Sequence, residues 1–364
     1  MRKHWIDNLR WVTVLLVLFY HVIYFYNNKG VFGGIGGFGP YPKCHQYQDV
    51  VMYILYPFFM PLLFLLAGIS ARYALEKKSA KKWFKARTRK LLVPGTIGLF
   101  VFHWMVGYFN TLVAGRGDVF TGLPGAVNYI IMAISGTGPL WFVQVLWLLC
   151  LVLLLVRAID KNDKCWNWCG KFGLIPVMLL GALLYLGSFT LIREPRPESA
   201  DGLLNLYKPL YYMLPFLMGY FVFSHDEIIE MLGKVWYFLV GWAIGFGVAL
   251  VVLYFGKDNT SPEFLQNPLN TVYGWMMILA LIGTFKALFD RTGKFATYMT
   301  RSSYGLYIVH YLVIASLGYM MKQYTTLPPL AMYVILTVAV FTLSPLLYEG
   351  LRRIPVVKWC VFGE

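Results

Sequence analysis

The sequence predicts an all-α polytopic membrane protein, with about ten transmembrane helices around a polar central cavity and both termini in the cytoplasm. Three observations predict it. Apolar residues make up 59% of the 364 and charged residues only 13%, with a mean hydropathy of +0.60. A soluble chain of this length cannot hide so much apolar surface. The apolar residues fall in repeated runs of about 20, the length that crosses a bilayer as a helix. Finally, Lys and Arg concentrate in alternate inter-helix segments, as the positive-inside rule requires. Nothing reads as a separate soluble domain, so residues 1–364 read as a single transmembrane domain.

Ten spans are predicted, at about 9–27, 48–75, 91–113, 139–159, 172–192, 203–224, 233–256, 270–289, 302–322 and 328–350. This alternation puts 23 of the 32 Lys and Arg on one side and 8 on the other, with Arg72 inside the second span. The richer side carries Arg2, Lys3 and Arg10, the dense stretch from Lys77 to Lys90, and Arg352, Arg353 and Lys358. It is read as cytoplasmic. The net charge of +15 thus follows topology. It implies a lipid bilayer as partner and no nucleic acid. The N-terminus mimics a signal peptide but lacks a small-residue cleavage site, and reads as an uncleaved first helix.

The connecting segments carry little chemistry. Gly34-Ile35-Gly36-Gly37-Phe38-Gly39 matches G-x-G-x-x-G, but no strand precedes it, so it reads as a loop over a cavity mouth and not as a dinucleotide site. Ala126 to Ile134 is too short to span and is expected to lie at the interface or re-enter. The five cysteines form no disulfide framework. Cys165 and Cys169 have the spacing of half a zinc site, with no second Cys or His pair nearby, so no metal is expected.

The first span holds the most informative pattern. Arg10 and His21 are separated by ten apolar or mildly polar residues. Eleven helical steps are about three turns with ~20° left over, so the two share a face, roughly 16.5 Å apart along the axis. Ionisable groups in a membrane helix are costly and face protein or a water-filled cavity. The plain alternative is an anchor arginine and a hydrogen-bonded core histidine. His310, in the ninth span, and His103, in the third, lie at comparable depth, which strengthens the case for a polar centre. Neutral histidine suits general-base work at neutral pH. None of the three has an Asp or Glu nearby in sequence, so any orienting partner comes from another helix. Arg87 and Arg89 lie directly against the third span, where guanidinium groups can fork onto phosphate oxygens or simply mark topology. Trp141 opens the fourth span, where an interfacial anchor is the plain reading. Glu349 is expected to pair with Arg352 or Arg353.

Together these stretches resemble the acyltransferase 3 family of integral-membrane acyltransferases, in its stand-alone ten-helix form. Arg10 and His21, within Asp7-Asn8-Leu9-Arg10, match the family's first-helix signature. Arg87-Thr88-Arg89-Lys90-Leu91-Leu92-Val93-Pro94, Leu140-Trp141-Phe142-Val143 and Ser303-Tyr304-Gly305-Leu306-Tyr307-Ile308-Val309-His310 look like three further family motifs. One departure is Ala67-Gly68, where many members have Ser-Gly. The resemblance implies transfer of an acyl group, usually acetyl from acetyl-CoA, to a hydroxyl of an envelope carbohydrate or lipid-linked sugar, in a bacterial cytoplasmic membrane. It implies catalytic roles for His21 and His310, and donor binding by Arg10, Arg87, Arg89, Trp141 and Tyr304. The Arg10-to-His21 spacing is about the length of a pantetheine arm, so phosphates held at the cytoplasmic edge would leave the thioester near mid-membrane. A transporter or flippase with a proton-relay histidine is the alternative.

Overall fold

The structure is a computed structural model describing residues 3–25, 50–113, 115, 117–192, 207–257, 259 and 261–364. Among these the protein is helical, with no strand. Helix α1 is His4–Tyr24, α2 is Val50–Lys77 and α3 is the long Ala80–Val113. Next come the short α4 (Gly125–Ser135), α5 (Trp141–Ile159), the six-residue α6 (Lys164–Cys169), α7 (Leu174–Leu191) and α8 (Pro209–Phe221). The chain continues through the amphipathic α9 (Asp226–Lys234), then α10 (Trp236–Tyr254), α11 (Pro268–Leu288) and α12 (Lys294–Tyr324). It closes with α13 (Pro329–Leu351) and α14 (Pro355–Phe362).

Nine of these helices are long and apolar enough to cross a membrane among the described residues, against ten expected. The difference is the predicted span 203–224. Its described part, α8, has 13 residues, about 20 Å of helix against a hydrocarbon core of ~30 Å. Pro209 sets its start and Pro215 sits inside it; residues 203–206 lie outside the described residues, as do the glycine-rich loop and Cys44. Other boundaries move outward. α3 begins at Ala80 and α12 at Lys294, because polar residues continue a helix that hydropathy detects only where it is apolar. The segment 126–134 falls within α4, an 11-residue helix too short to span.

The chain forms two compact units, and several helices pass from one to the other. The first unit comprises Met1–Thr13, Met52–Phe84 and Leu148–Thr300. Here α2 and α8 meet backbone to backbone: a Cβ at Gly68 would overlap the Phe216 carbonyl, and one at Gly219 the Leu65 carbonyl. Small residues permit such approach in membrane helices. The buried Arg72 forks onto Asp163 at 2.6 and 3.1 Å, reaches Glu76 at 3.0 Å and lies 4.1 Å over the Trp166 ring. That guanidinium holds the Asp163 carboxyl below its ordinary value. Asn8 donates to the carbonyls of Phe289 and Arg291, at 2.7 and 2.8 Å, where α11 has ended. It thereby meets the C-cap carbonyl that the end of α11 leaves without a helical partner, and one in the turn beyond it.

The second unit comprises Val14–Val51, Lys85–Trp147 and Arg301–Glu364. In it α3 and α4 are pressed together at two glycines. A Cβ at Gly107 would overlap the Met132 carbonyl, and one at Gly136 the His103 carbonyl. Glu349 pairs with Arg352 at 2.8 Å, as expected, and also approaches Arg301 at 3.8 Å.

Gly107→Ala is expected to lower stability by about 1–3 kcal/mol, the usual cost of overpacking, seen as a lower unfolding midpoint in detergent. Gly241→Ala, on α10 where a Cβ meets nothing within 4 Å, should leave the midpoint unchanged or raise it.

Candidate active site

The candidate site in the second unit is built on α3, where Pro94 sets the local backbone. Proline has no N–H and crowds the carbonyl four residues earlier, which here belongs to Lys90. The helix widens into a π-turn over Thr88–Leu92, and the Lys90 carbonyl accepts from the Tyr304 hydroxyl at 2.5 Å instead. A second π-turn covers Leu99–His103. Such π-turns are frequent at functional sites, and each of these two carries a charged or titratable residue singled out from the sequence. Helix α5 clasps the same stretch: Trp147 Nε1 donates to Thr88 Oγ1 at 3.1 Å and Gln144 Nε2 to the Gly95 carbonyl at 2.8 Å.

The basic motif is therefore held in a defined place. Arg89 is exposed and its Nε donates to the Gly363 carbonyl at 3.1 Å. Lys90 Nζ lies 4.5 Å over the Tyr304 ring and 2.7 Å from Glu364 Oε1. Arg87 is half-buried, within electrostatic reach of Tyr304. The structure thus brings Arg87, Arg89 and Tyr304 together.

Tyr304 begins a line of residues that leads to the histidines. Tyr307, one turn further along α12, donates its hydroxyl to the Pro139 carbonyl, just ahead of Trp141. The Tyr307 ring meets Phe142 edge-on, 5.9 Å between centroids. Trp141 is half-buried at the first turn of α5 and packs edge-on against Phe142. His310 is fully buried, and its Nδ1 stands 2.7 Å from the Tyr307 carbonyl. Its Nε2 stands 2.8 Å from Nδ1 of His21.

These two distances fix the protons for neutral rings. A carbonyl only accepts, so His310 Nδ1 carries hydrogen and its Nε2 carries a lone pair. His21 must then donate from Nδ1, which leaves the lone pair of His21 on Nε2. Among the described residues no hydrogen-bond partner stands at that nitrogen. Both nitrogens of His310 are engaged, whereas His21 is engaged at Nδ1. The sequence offers these histidines as separate candidates, and the geometry gives them different parts. Tyr307 and Pro139, which orient them, escaped the sequence reading, although the i, i+3 spacing of Tyr307 and His310 was visible.

Arg10 belongs to the first unit, where it donates to Ser70 Oγ at 2.6 Å and pairs with Asp7 at 3.3 Å. α1 runs unbroken from His4 to Tyr24. No group of three or more His, Cys, Asp or Glu that could hold a metal occurs among the described residues, and Cys165 and Cys169 are free thiols.

A polytopic helical protein with a buried, hydrogen-bonded histidine pair defines the class: an integral membrane protein with a polar centre. The chain matches the acyltransferase domain family, acyltransferase 3, over residues 3–349, and belongs to that family. It is a membrane acyltransferase. No significant match is found among curated proteins or among solved structures.

The Pro94 account makes a testable statement. Tyr304→Phe strands the Lys90 carbonyl and should cost about 1–3 kcal/mol. In a Pro94→Ala background the restored N–H competes for that carbonyl, so Tyr304→Phe should cost measurably less. Unfolding midpoints of the four proteins give the coupling; strictly additive losses would contradict the account.

Proposed function

We propose that the protein moves an acetyl group from cytoplasmic acetyl-CoA to a hydroxyl of an envelope carbohydrate, or of a lipid-linked sugar, on the other side of a bacterial cytoplasmic membrane. The observation that carries the reading is the relay from the Tyr307 carbonyl through His310 to His21, which leaves His21 Nε2 as a positioned base. Arg87 and Arg89 take the anionic nucleotide end of the donor, where a guanidinium fork suits phosphate oxygens. Tyr304 and Trp141 line the approach. Tyr304 and His310 are six residues apart on α12, about 9 Å along its axis, so a donor held at the basic motif has its thioester within reach of the relay. Arg10 is assigned to the donor by its match to the family's first-helix signature alone. Both termini face the cytoplasm, on the distribution of Lys and Arg.

In this reading the acceptor hydroxyl gives its proton to His21 Nε2 as its oxygen attacks the thioester carbonyl carbon. The C–S bond breaks and the thiolate recovers the proton from His21. His310 holds the ring in the tautomer that keeps Nε2 free and shares the charge while His21 is protonated, as the orienting member of a triad does.

Purified protein given radiolabelled acetyl-CoA and an envelope extract should place label in base-labile esters of the carbohydrate fraction. His21→Ala should reduce turnover by ~10²–10⁴-fold, the usual worth of a positioned base, with acetyl-CoA binding intact. His310→Leu should also lose turnover without loss of donor binding. The Arg87→Ala/Arg89→Ala protein should show the converse, a weaker donor affinity. Near-normal turnover in His21→Ala would contradict the base assignment. A wild-type protein that moves solute but never consumes the thioester would favour the transport reading.

A further inference from the structure

His103 is a buried titratable side chain that the relay leaves unused. It is 1% exposed; neither ring nitrogen makes a hydrogen bond of good geometry, and the Gly136 carbonyl is the backbone group that acts on the ring. An unpaired buried polar group costs about 1–3 kcal/mol, and a native protein that tolerates one needs a reason to do so. The backbone holds the ring to this position. His103 ends the second π-turn of α3, and its carbonyl is pressed against Gly136 so closely that no side chain fits there. Gly107, one turn later, is pressed in the same way against Met132. A helix pair locked at two glycines does not shift to give the ring a partner.

The position is close to the relay. Gly136 lies three residues before Pro139, and the Pro139 carbonyl accepts the Tyr307 hydroxyl. Tyr307 is also the residue whose carbonyl holds His310, and His310 lies within electrostatic reach of His103. All of these residues belong to the second unit.

We propose that His103 is a further catalytic residue, whose ring N–H hydrogen-bonds the thioester carbonyl oxygen of the acyl donor and stabilises the oxyanion formed on attack. The inference rests on the acyl-transfer reading. As the acceptor hydroxyl loses its proton to His21 Nε2, its oxygen bonds to the carbonyl carbon. The carbonyl π pair moves onto the carbonyl oxygen, which accepts from His103. Collapse restores the C=O bond and breaks C–S, and the thiolate takes the proton back from His21. A donor fixed in advance where charge develops is worth most in a site that excludes water, and the vacant hydrogen-bonding capacity of His103 is what such a site requires before substrate arrives.

The test separates this role from a structural one. His103→Phe removes no hydrogen bond of good geometry, only the approach to the Gly136 carbonyl, so its unfolding midpoint should stay close to that of wild type. Its kcat should fall by ~10²–10³-fold, the worth of one oxyanion donor, with KM for acetyl-CoA unchanged. His103→Gln, which keeps an N–H, should recover part of the loss. Where the Phe ring fails to pack, His103→Leu against His103→Gln gives the same comparison. A His103→Phe or His103→Leu protein with wild-type kcat overturns the inference, as does a loss confined to KM. Wild-type protein in the same assay distinguishes the two levels. Absent thioester-dependent transfer rejects the acyl-transfer reading itself. An active wild type beside an equally active His103→Phe rejects only the role of His103.

Discussion

The hydrogen bond between His21 Nδ1 and His310 Nε2 is the constraint on which the rest of the site depends. It joins residues 289 positions apart in the chain, at 2.8 Å, in a buried setting. A buried imidazole without partners is costly, and among the described residues no carboxylate bonds either ring. A backbone carbonyl does that work instead, on the far side of His310. One acceptor at the end of the line is enough to order both rings, because each neutral imidazole that donates from one nitrogen accepts at the other. The result is an imidazole whose orientation is set by helix α12, with both rings neutral. That suits a membrane interior, where a fixed carboxylate carries a heavy desolvation cost.

The surrounding helices supply what this line of bonds needs. Pro94 has no N–H to offer the Lys90 carbonyl, and the Tyr304 hydroxyl donates to it, a link between α3 and α12. One turn on, Tyr307 makes a second link to Pro139. Both tyrosines are on the helix that carries His310, so the same two bonds that position the basic motif and the start of α5 also fix the relay. Glycine does the complementary work. At Gly107 and Gly136 the absence of a side chain lets α3 and α4 approach at the backbone, which holds His103 in place.

Much of this was legible in the sequence, for physical reasons. Transmembrane helices are read from apolar length, and nine of the ten expected are present among the described residues. Of span 203–224 the described residues hold α8, 13 residues that start at Pro209, and residues 203–206 lie outside them. Candidate histidines were legible because an ionisable residue deep in an apolar run stands out. Their pairing was not, since nothing local relates residue 21 to residue 310. Nor was the proton order, which depends on a carbonyl, and carbonyls are the same at every position in a sequence. Arg72 showed as a charge inside a span, but its partner Asp163 lies on a loop 91 residues away. Arg10 and His21 were legible as one helix face; that Arg10 bonds Ser70 within the first unit was not.

The central claim is the order of protons along the relay, and nitrogen NMR of the histidine side chains reads it directly. Protein labelled with ¹⁵N-histidine in detergent, with each resonance assigned by substitution, should show His21 and His310 both as Nδ1–H tautomers at neutral pH, each with an unprotonated Nε2. A coupling across the hydrogen bond from His21 Nδ1 to His310 Nε2 would complete the picture. An Nε2–H tautomer for His21 would contradict the account, because the nitrogen assigned to take the acceptor's proton would already hold one.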